Sequence, residues 1–358
     1  MTRASDSFET NAVTLAYGAA GGLLFWLLGL PLAFLSGATA GVAAAALAMR
    51  PVGVEVRLRE VAIVLLGLTL GSTVTPATLG LLPRWPVTLA ILVVAMMSIM
   101  ASGAWYLERF HGLDRATARL AAMPGALNFV MALAVESTAD QRRVAIIQVV
   151  RITAILLLLP SFVSFLGTPV STRIFQPAGD IVKPLQLPFL FAAGFAGAWV
   201  FGKLGTPAPQ LFGAMIASAL LYGPGLLDTA MPQMLVIALF VVLGSLIGSN
   251  FAGADLRLFL VTAGAGLGSL VVSGLVALAF ALPAAWIVGL PPIQVWLAYA
   301  PGGVETTALL AMALGLDAAF VSSHHIMRVI VLNVLVPMWV APYLAKPTDA
   351  GQPPADSQ

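Results

Sequence analysis

Twelve runs of nearly unbroken apolar sequence fill the chain, at 11–29, 31–49, 61–81, 86–106, 116–135 and 144–167, then at 189–203, 207–222, 233–252, 257–290, 294–315 and 319–343. A helix needs about 20 apolar residues to cross a bilayer. Lipid offers a bare peptide group no partner, so spanning segments must be helices or strands of a closed barrel. The runs are continuously apolar and lack the period-two alternation of a barrel strand, which selects helices. The predicted fold is an all-α polytopic membrane protein with about 10–12 transmembrane segments.

Composition narrows the function classes. Only 9% of the 358 residues are charged and the mean hydropathy is +0.99, against roughly 25% charged residues in a soluble domain. The 17 basic and 15 acidic residues leave a net charge of +2. The basic residues are scattered singly or in pairs, so the expected partner is the lipid bilayer and not nucleic acid. No cysteine is present and the histidines are His111, His324 and His325. Neither a metal site nor a bound cofactor is expected from so few ligands.

Residues 1–10 are polar, with Asp6 and Glu9, and lack the pattern of a cleaved signal peptide. Residues 344–358 are polar and proline-rich, the composition of a disordered tail. Between the two sets of runs, 168–188 carries four prolines with Arg173, Asp180 and Lys183, and reads as a linker. It separates membrane repeat 1 (11–167) from membrane repeat 2 (189–343). Arginines at 50, 57 and 59 and at 109, 115 and 119 share a face with Arg3 under simple alternation. The positive-inside rule then puts the N-terminus in the cytoplasm.

The repeats are legible as sequence. At an offset of 176, ten of the 21 positions from Gly18 to Ala38 match Gly194 to Ala214, including Gly29 with Gly205 and Pro31 with Pro207. Chance would give roughly one match in ten for so narrow an alphabet. At an offset of 177, Gly67, Gly71, Pro124, Gly125, Asp140, Arg151 and Pro160 match Gly244, Gly248, Pro301, Gly302, Asp317, Arg328 and Pro337. Duplicated halves around a central site are the architecture of secondary transporters. Six crossings per half would make the halves parallel, and five with one re-entrant segment would make them inverted.

Two motifs could carry chemistry. In the first, Pro124 and Gly125 in one half, and Pro301, Gly302 and Gly303 in the other, break a helix in mid-membrane. The freed amides of the second half-helix attract an anion and the freed carbonyls of the first attract a cation. Asn128 and Glu305 stand at equivalent positions beyond the breaks, and Thr306 and Thr307 add hydroxyls. In the second motif, Gln148 with Arg151, and His325 with Arg328, lie three residues apart on one helix face inside apolar segments. A buried arginine must meet an acid, a carbonyl cluster or an anionic substrate. His325 is the better placed of the adjacent histidines to relay a proton.

The doubled Gly29, Pro31, Leu35, Gly37 pattern, the doubled Pro-Gly segment and the doubled Gln148/Arg151 and His325/Arg328 helix resemble the AbrB duplication family of bacterial integral membrane proteins. Members are labelled ammonia monooxygenase or AbrB-type regulator. The resemblance covers about residues 14 to 343 and implies a multi-pass protein of the bacterial inner membrane. The family often has a carboxylate just after Pro-Gly, where the first copy here has Asn128. No His-rich cluster or dinucleotide fingerprint accompanies the oxygenase label, so an enzyme is not expected.

The function expected is secondary transport of a small polar or anionic solute, an amino acid or carboxylate, coupled to H+ or Na+. Glu305 and His325 would carry the coupling, Arg151 and Arg328 the substrate charge. A non-transporting membrane protein acting in regulation of gene expression is the alternative, and a membrane enzyme a more distant one. A homodimer is expected by analogy with other carriers.

Overall fold

A computed structural model describes residues 2–74, 83, 85–124, 127–165, 182–206 and 208–340. Along them run α1 (Thr2–Leu27), α2 (Ala33–Leu47), α3 (Val56–Gly71), α4 (Trp85–His111), α5 (Arg115–Ala122), α6 (Leu127–Val135) and α7 (Gln141–Phe165). The second half supplies α8 (Leu187–Lys203), α9 (Pro209–Tyr222), α10 (Gln233–Ser249), α11 (Leu256–Val288), α12 (Pro292–Tyr299), α13 (Val304–Ala313) and α14 (Ala318–Val340). The protein is an all-α polytopic membrane protein. Within the described residues, Trp85–His111, Gln141–Pro160 and Leu256–Val288 are each long and apolar enough to cross a bilayer unaided.

Two boundaries differ from the sequence reading. Residues 2–10, expected as a separate polar terminus, continue into α1. No proline interrupts them, and a polar helical turn can extend beyond the lipid. The runs 116–135 and 294–315, expected as single spans, each divide into two short helices at the Pro-Gly breaks. Most of the expected linker, and the tail beyond residue 340, lie outside the described residues.

The turn before α2 shows why its sequence recurs. Gly29 takes φ +67° and Leu32 φ 52°, and their counterparts Gly205 and Ala208 take +65° and 48°. Left-handed φ at a non-glycine costs about 1–2 kcal/mol, so this corner is held by packing on both sides of it. The helices that meet there run antiparallel at glycine crossings. A Cβ on Gly37 would collide with the Gly21 carbonyl, and one on Gly213 with the Gly197 carbonyl. Missing side chains allow the backbones to touch, which is how helices associate where lipid removes the hydrophobic drive.

The halves interlock. Gly67 and Gly71 of α3 lie against Leu211 and Met215 of α9, so these helices run parallel, and Ser218 Oγ donates to the Leu68 carbonyl at 2.8 Å. Gly244 and Gly248 of α10 lie against Leu35 and Thr39 of α2 in the same register. The third helix of each half therefore packs on the second helix of the other. Because α3 starts at the end of the molecule where α2 finishes, these two run in opposite senses, and so do α2 and α9. The antiparallel crossing of α4 and α11, where Gly103 faces Ser273 and Gly268 faces Tyr106, repeats that inversion.

One end of the molecule is fixed by its own cluster, in which Ala43 and Ala46 of α2, Ile146 and Val150 of α7, Phe251 after α10 and Leu258 of α11 pack together. Asn11 of α1 accepts from the Glu55 amide at 2.7 Å and bonds the Glu55 carboxylate at 3.3 Å, adding the start of α3 to the same end.

Candidate functional site

The short helices α5 and α12 each stop at a proline, which leaves their last carbonyls without the amide donors of a continuing helix. Each end is met from the side by the long helix that follows. In the first half, Arg151 donates from Nη1 to the carbonyls of Ala121 and Ala122, both at 3.3 Å, and from Nη2 to Met123 at 2.6 Å. Gln148, one turn earlier on α7, donates from Nε2 to Leu120 at 3.1 Å and Met123 at 3.2 Å. In the second half, Arg328 donates to Ala300 at 2.7 Å and to Gly302, and His325 Nε2 bonds the Leu297 carbonyl at 2.9 Å.

These bonds correspond position by position. Leu120 and Leu297, Met123 and Ala300, Gln148 and His325, and Arg151 and Arg328 all differ by 177. The carbonyl cannot donate, so His325 Nε2 carries a proton, and its Nδ1 is buried without a partner among the described residues. A glutamine amide and an imidazole thus fill one role.

The starts of these helices are tied as well. The Asp140 amide donates to Thr117 Oγ1 at 2.8 Å, and the Asp317 amide to Gln294 Oε1 at 3.2 Å, 177 positions on. Helix α7 therefore begins beside the start of α5 and reaches Arg151 beside its end, so the two run parallel. The intervening α6 must lead the chain back, and α5 with α6 forms a hairpin whose tip is the Pro-Gly break. Helices α12 and α13 do the same from the other half.

The tip of the second hairpin approaches the helix that holds the first. Gly302 faces Ile155 of α7, one turn beyond Arg151. Arg151 and Arg328 are each 1% exposed, and no carboxylate pairs with either among the described residues. Each keeps one buried donor, Nε, that has no partner among the described residues. Burying a charge is costly, and here the half-helix carbonyl ends offset part of that cost.

Of the residues singled out from sequence, Pro124, Gln148, Arg151, Pro301, Gly302, Gly303, Thr306, His325 and Arg328 gather at the hairpin tips and on α7 and α14. Thr306 is buried at the start of α13, next to Thr307, whose Oγ1 donates to Gly303 at 2.9 Å. Gly125, and the side chains of Asn128 and Glu305, lie outside the described residues, although the backbones of Asn128 and Glu305 fall in the first turns of α6 and α13. The expectation that the freed carbonyls attract a cation meets a difference: a guanidinium of the protein itself already sits on each set.

Sequence reasoning missed a second polar cluster. His324 Nδ1 donates to Phe320 at 2.8 Å, and its Nε2 accepts from Thr88 Oγ1 at 2.7 Å. Tyr299 donates to the Thr88 carbonyl at 2.6 Å, and the His324 ring stacks on Phe320 with centroids 4.0 Å apart. The cluster ties α4 to α12 and α14. Its only mark in the sequence is a threonine inside an apolar run.

A profile described as "Transition state regulatory protein AbrB" matches residues 34–343. The chain is 27% identical to "Uncharacterized protein YhjN" of Bacillus subtilis (strain 168) over 358 aligned positions, 90% of each protein. It is 26% identical to "Putative regulator AbrB" of Escherichia coli (strain K12) over 274 positions, covering 74% of this chain and 76% of that one. The profile spans both hairpins and both buried arginines, and on that coverage the chain belongs to the AbrB family.

Proposed function

We propose that the protein is a secondary carrier of a small anionic solute of the carboxylate or amino-acid class, working in the bacterial inner membrane. One observation carries the reading: two half-helix hairpins enter from opposite halves, and at the tip of each stands a buried guanidinium that no carboxylate pairs with among the described residues. Inverted halves with five crossings and one hairpin apiece account for the opposed helix directions and allow a central site to open to either side in turn. Half-helix N-termini and arginine donors converging on one place favour a negative ligand.

The orientation follows from charge. The starts of α3, α5, α7 and α11 share one end of the molecule, and with them Arg57, Arg59, Arg115, Arg142, Arg143 and Arg257. That end is taken as cytoplasmic, with the N-terminus, under the positive-inside rule. Proton coupling through Glu305 and His325 suits a His325 Nδ1 without a partner among the described residues.

The test is uptake into proteoliposomes of radiolabelled small carboxylates and amino acids. The expected result is saturable uptake of at least one, cut by about tenfold or more in Arg328→Lys, the equivalent of about 1.4 kcal/mol of anion contact. Folded protein that moves none of them would sink the carrier reading. It would favour the second one, a membrane protein acting in regulation, the role that the name of the Escherichia coli relative carries.

A further inference from the structure

An unwound helix end in a membrane carrier is a natural seat for a metal cation, because carbonyl oxygens there lack amide donors and the helix dipole adds negative potential. In this chain both seats are taken. Arg151 spans three consecutive carbonyls, Ala121, Ala122 and Met123, and Arg328 spans Ala300 and Gly302. Gln148 and His325 take the carbonyl one turn back in each case. A guanidinium brings a full positive charge to these oxygens, and its charge is permanent at any physiological pH.

We propose that Arg151 and Arg328 are tethered cations that replace sodium at the two half-helix ends, so that the protein binds its anion without a metal-ion partner. The proposal rests on the carrier reading and specifies its coupling. It accounts for guanidinium groups without an acid partner among the described residues: the carbonyl ends hold two of the three nitrogens in each case, and the remaining Nε–H, unpartnered there, is the donor offered to an anion. It also explains why the duplication preserves arginine on both sides while Gln148 and His325 diverge. A neutral donor suffices at the carbonyl of Leu120 or Leu297, whereas the fork-shaped cation brings charge to the two or three carbonyls at the helix end.

The experiment compares melting temperatures of the purified full chain in sodium chloride and in choline chloride, with and without a panel of small carboxylates and amino acids. Wild-type protein is expected to melt alike in the two salts and to show an anion-dependent rise of about 2–4 °C in choline alone. Arg328→Met is expected to melt lower and to recover part of the loss with millimolar methylguanidinium or sodium, which reach the vacated carbonyls, and none with extra choline. An anion-dependent rise that appears only with sodium overturns the proposal and leaves the carrier reading standing. Arg328→Met that recovers with no small cation also overturns it. If no anion stabilises the protein in either salt the carrier reading fails, and cation recovery of Arg328→Met still decides the role of the guanidinium. Should Arg328→Met not be recovered folded, the salt comparison on wild type and Arg328→Lys decides, with sodium dependence in wild type the refuting result.

Discussion

Glycine-to-alanine exchange at two positions isolates what the interlock of the halves contributes. At Gly244, in the middle of α10, a Cβ would stand 2.5 Å from the Leu35 carbonyl oxygen, 2.8 Å from Ala38 Cβ and 3.1 Å from the Thr39 amide nitrogen. Ordinary contact begins near 3.4 Å, so α10 must withdraw from α2 by about 0.9 Å, and a gap of 0.5–1 Å forfeits a quarter to a half of each dispersion contact it opens. At Gly264, inside α11, a Cβ meets nothing within 4 Å. Both exchanges gain the same helix propensity, about 1 kcal/mol, so the difference between them is the packing cost alone. Overpacking of this kind costs about 1–3 kcal/mol. Gly264→Ala should therefore match or exceed wild type, while Gly244→Ala should melt several degrees lower, as should Gly67→Ala at the matching crossing. Melting followed by tryptophan fluorescence in detergent gives the comparison. If Gly244→Ala melts as high as Gly264→Ala, the backbone contact between α2 and α10 is not what holds the halves together.

The polar clusters and the exposed loop give further expectations. Thr88→Val strips His324 Nε2 of its partner in a buried place and should destabilise by about 1–3 kcal/mol, whereas Thr88→Ser should be close to neutral; denaturant titration of both reads the difference. His325→Gln restores the donor that Gln148 supplies in the first half, so melting should be unchanged while any pH dependence of uptake flattens. A large drop in stability would show that the imidazole does more than bond Leu297. On the exposed loop after α9, the Lys183 ammonium and the Gln186 amide hold the Asp228 carboxyl below its usual value of 3.8. A depressed folded pKa contributes stability that is complete above the unfolded value and lost as pH falls through the folded one. Asp228→Asn should therefore remove a small part of the acid sensitivity below about pH 4, measured as the slope of melting temperature against pH.

Much of this could be read from residues alone, because the duplication writes each motif twice. The offset of 177 aligned Arg151 with Arg328 and Gln148 with His325, and the partner types weighed for a buried arginine included a carbonyl cluster. What the sequence could not show is which of them it was, since backbone oxygens of Met123 or Ala300 carry no mark in a one-letter code. The hairpins were hidden for a geometric reason. Eight residues in α5 and nine in α6 amount to the length of one short span, and only the bonds between Thr117 and Asp140 and between Leu120 and Gln148 reveal that the chain turns back. The Thr88, Tyr299 and His324 cluster escaped because its members are 211 and 236 positions apart and belong to no repeated pattern.

The exchange of α3 and α10 between the halves sets a schedule for biogenesis. Leu68 receives its bond from Ser218, 150 residues later, and ribosomes add about 5–20 residues per second. For on the order of ten seconds the small-residue face of α3 is in the membrane without the helix that fills it. During that time the helices of the first half form an incomplete assembly whose open seam must be kept from pairing with a neighbouring nascent chain. Coexpressing residues 1–180 and 181–358 as separate polypeptides should then yield a stable product only when both are made together, each completing the other's unfinished interface.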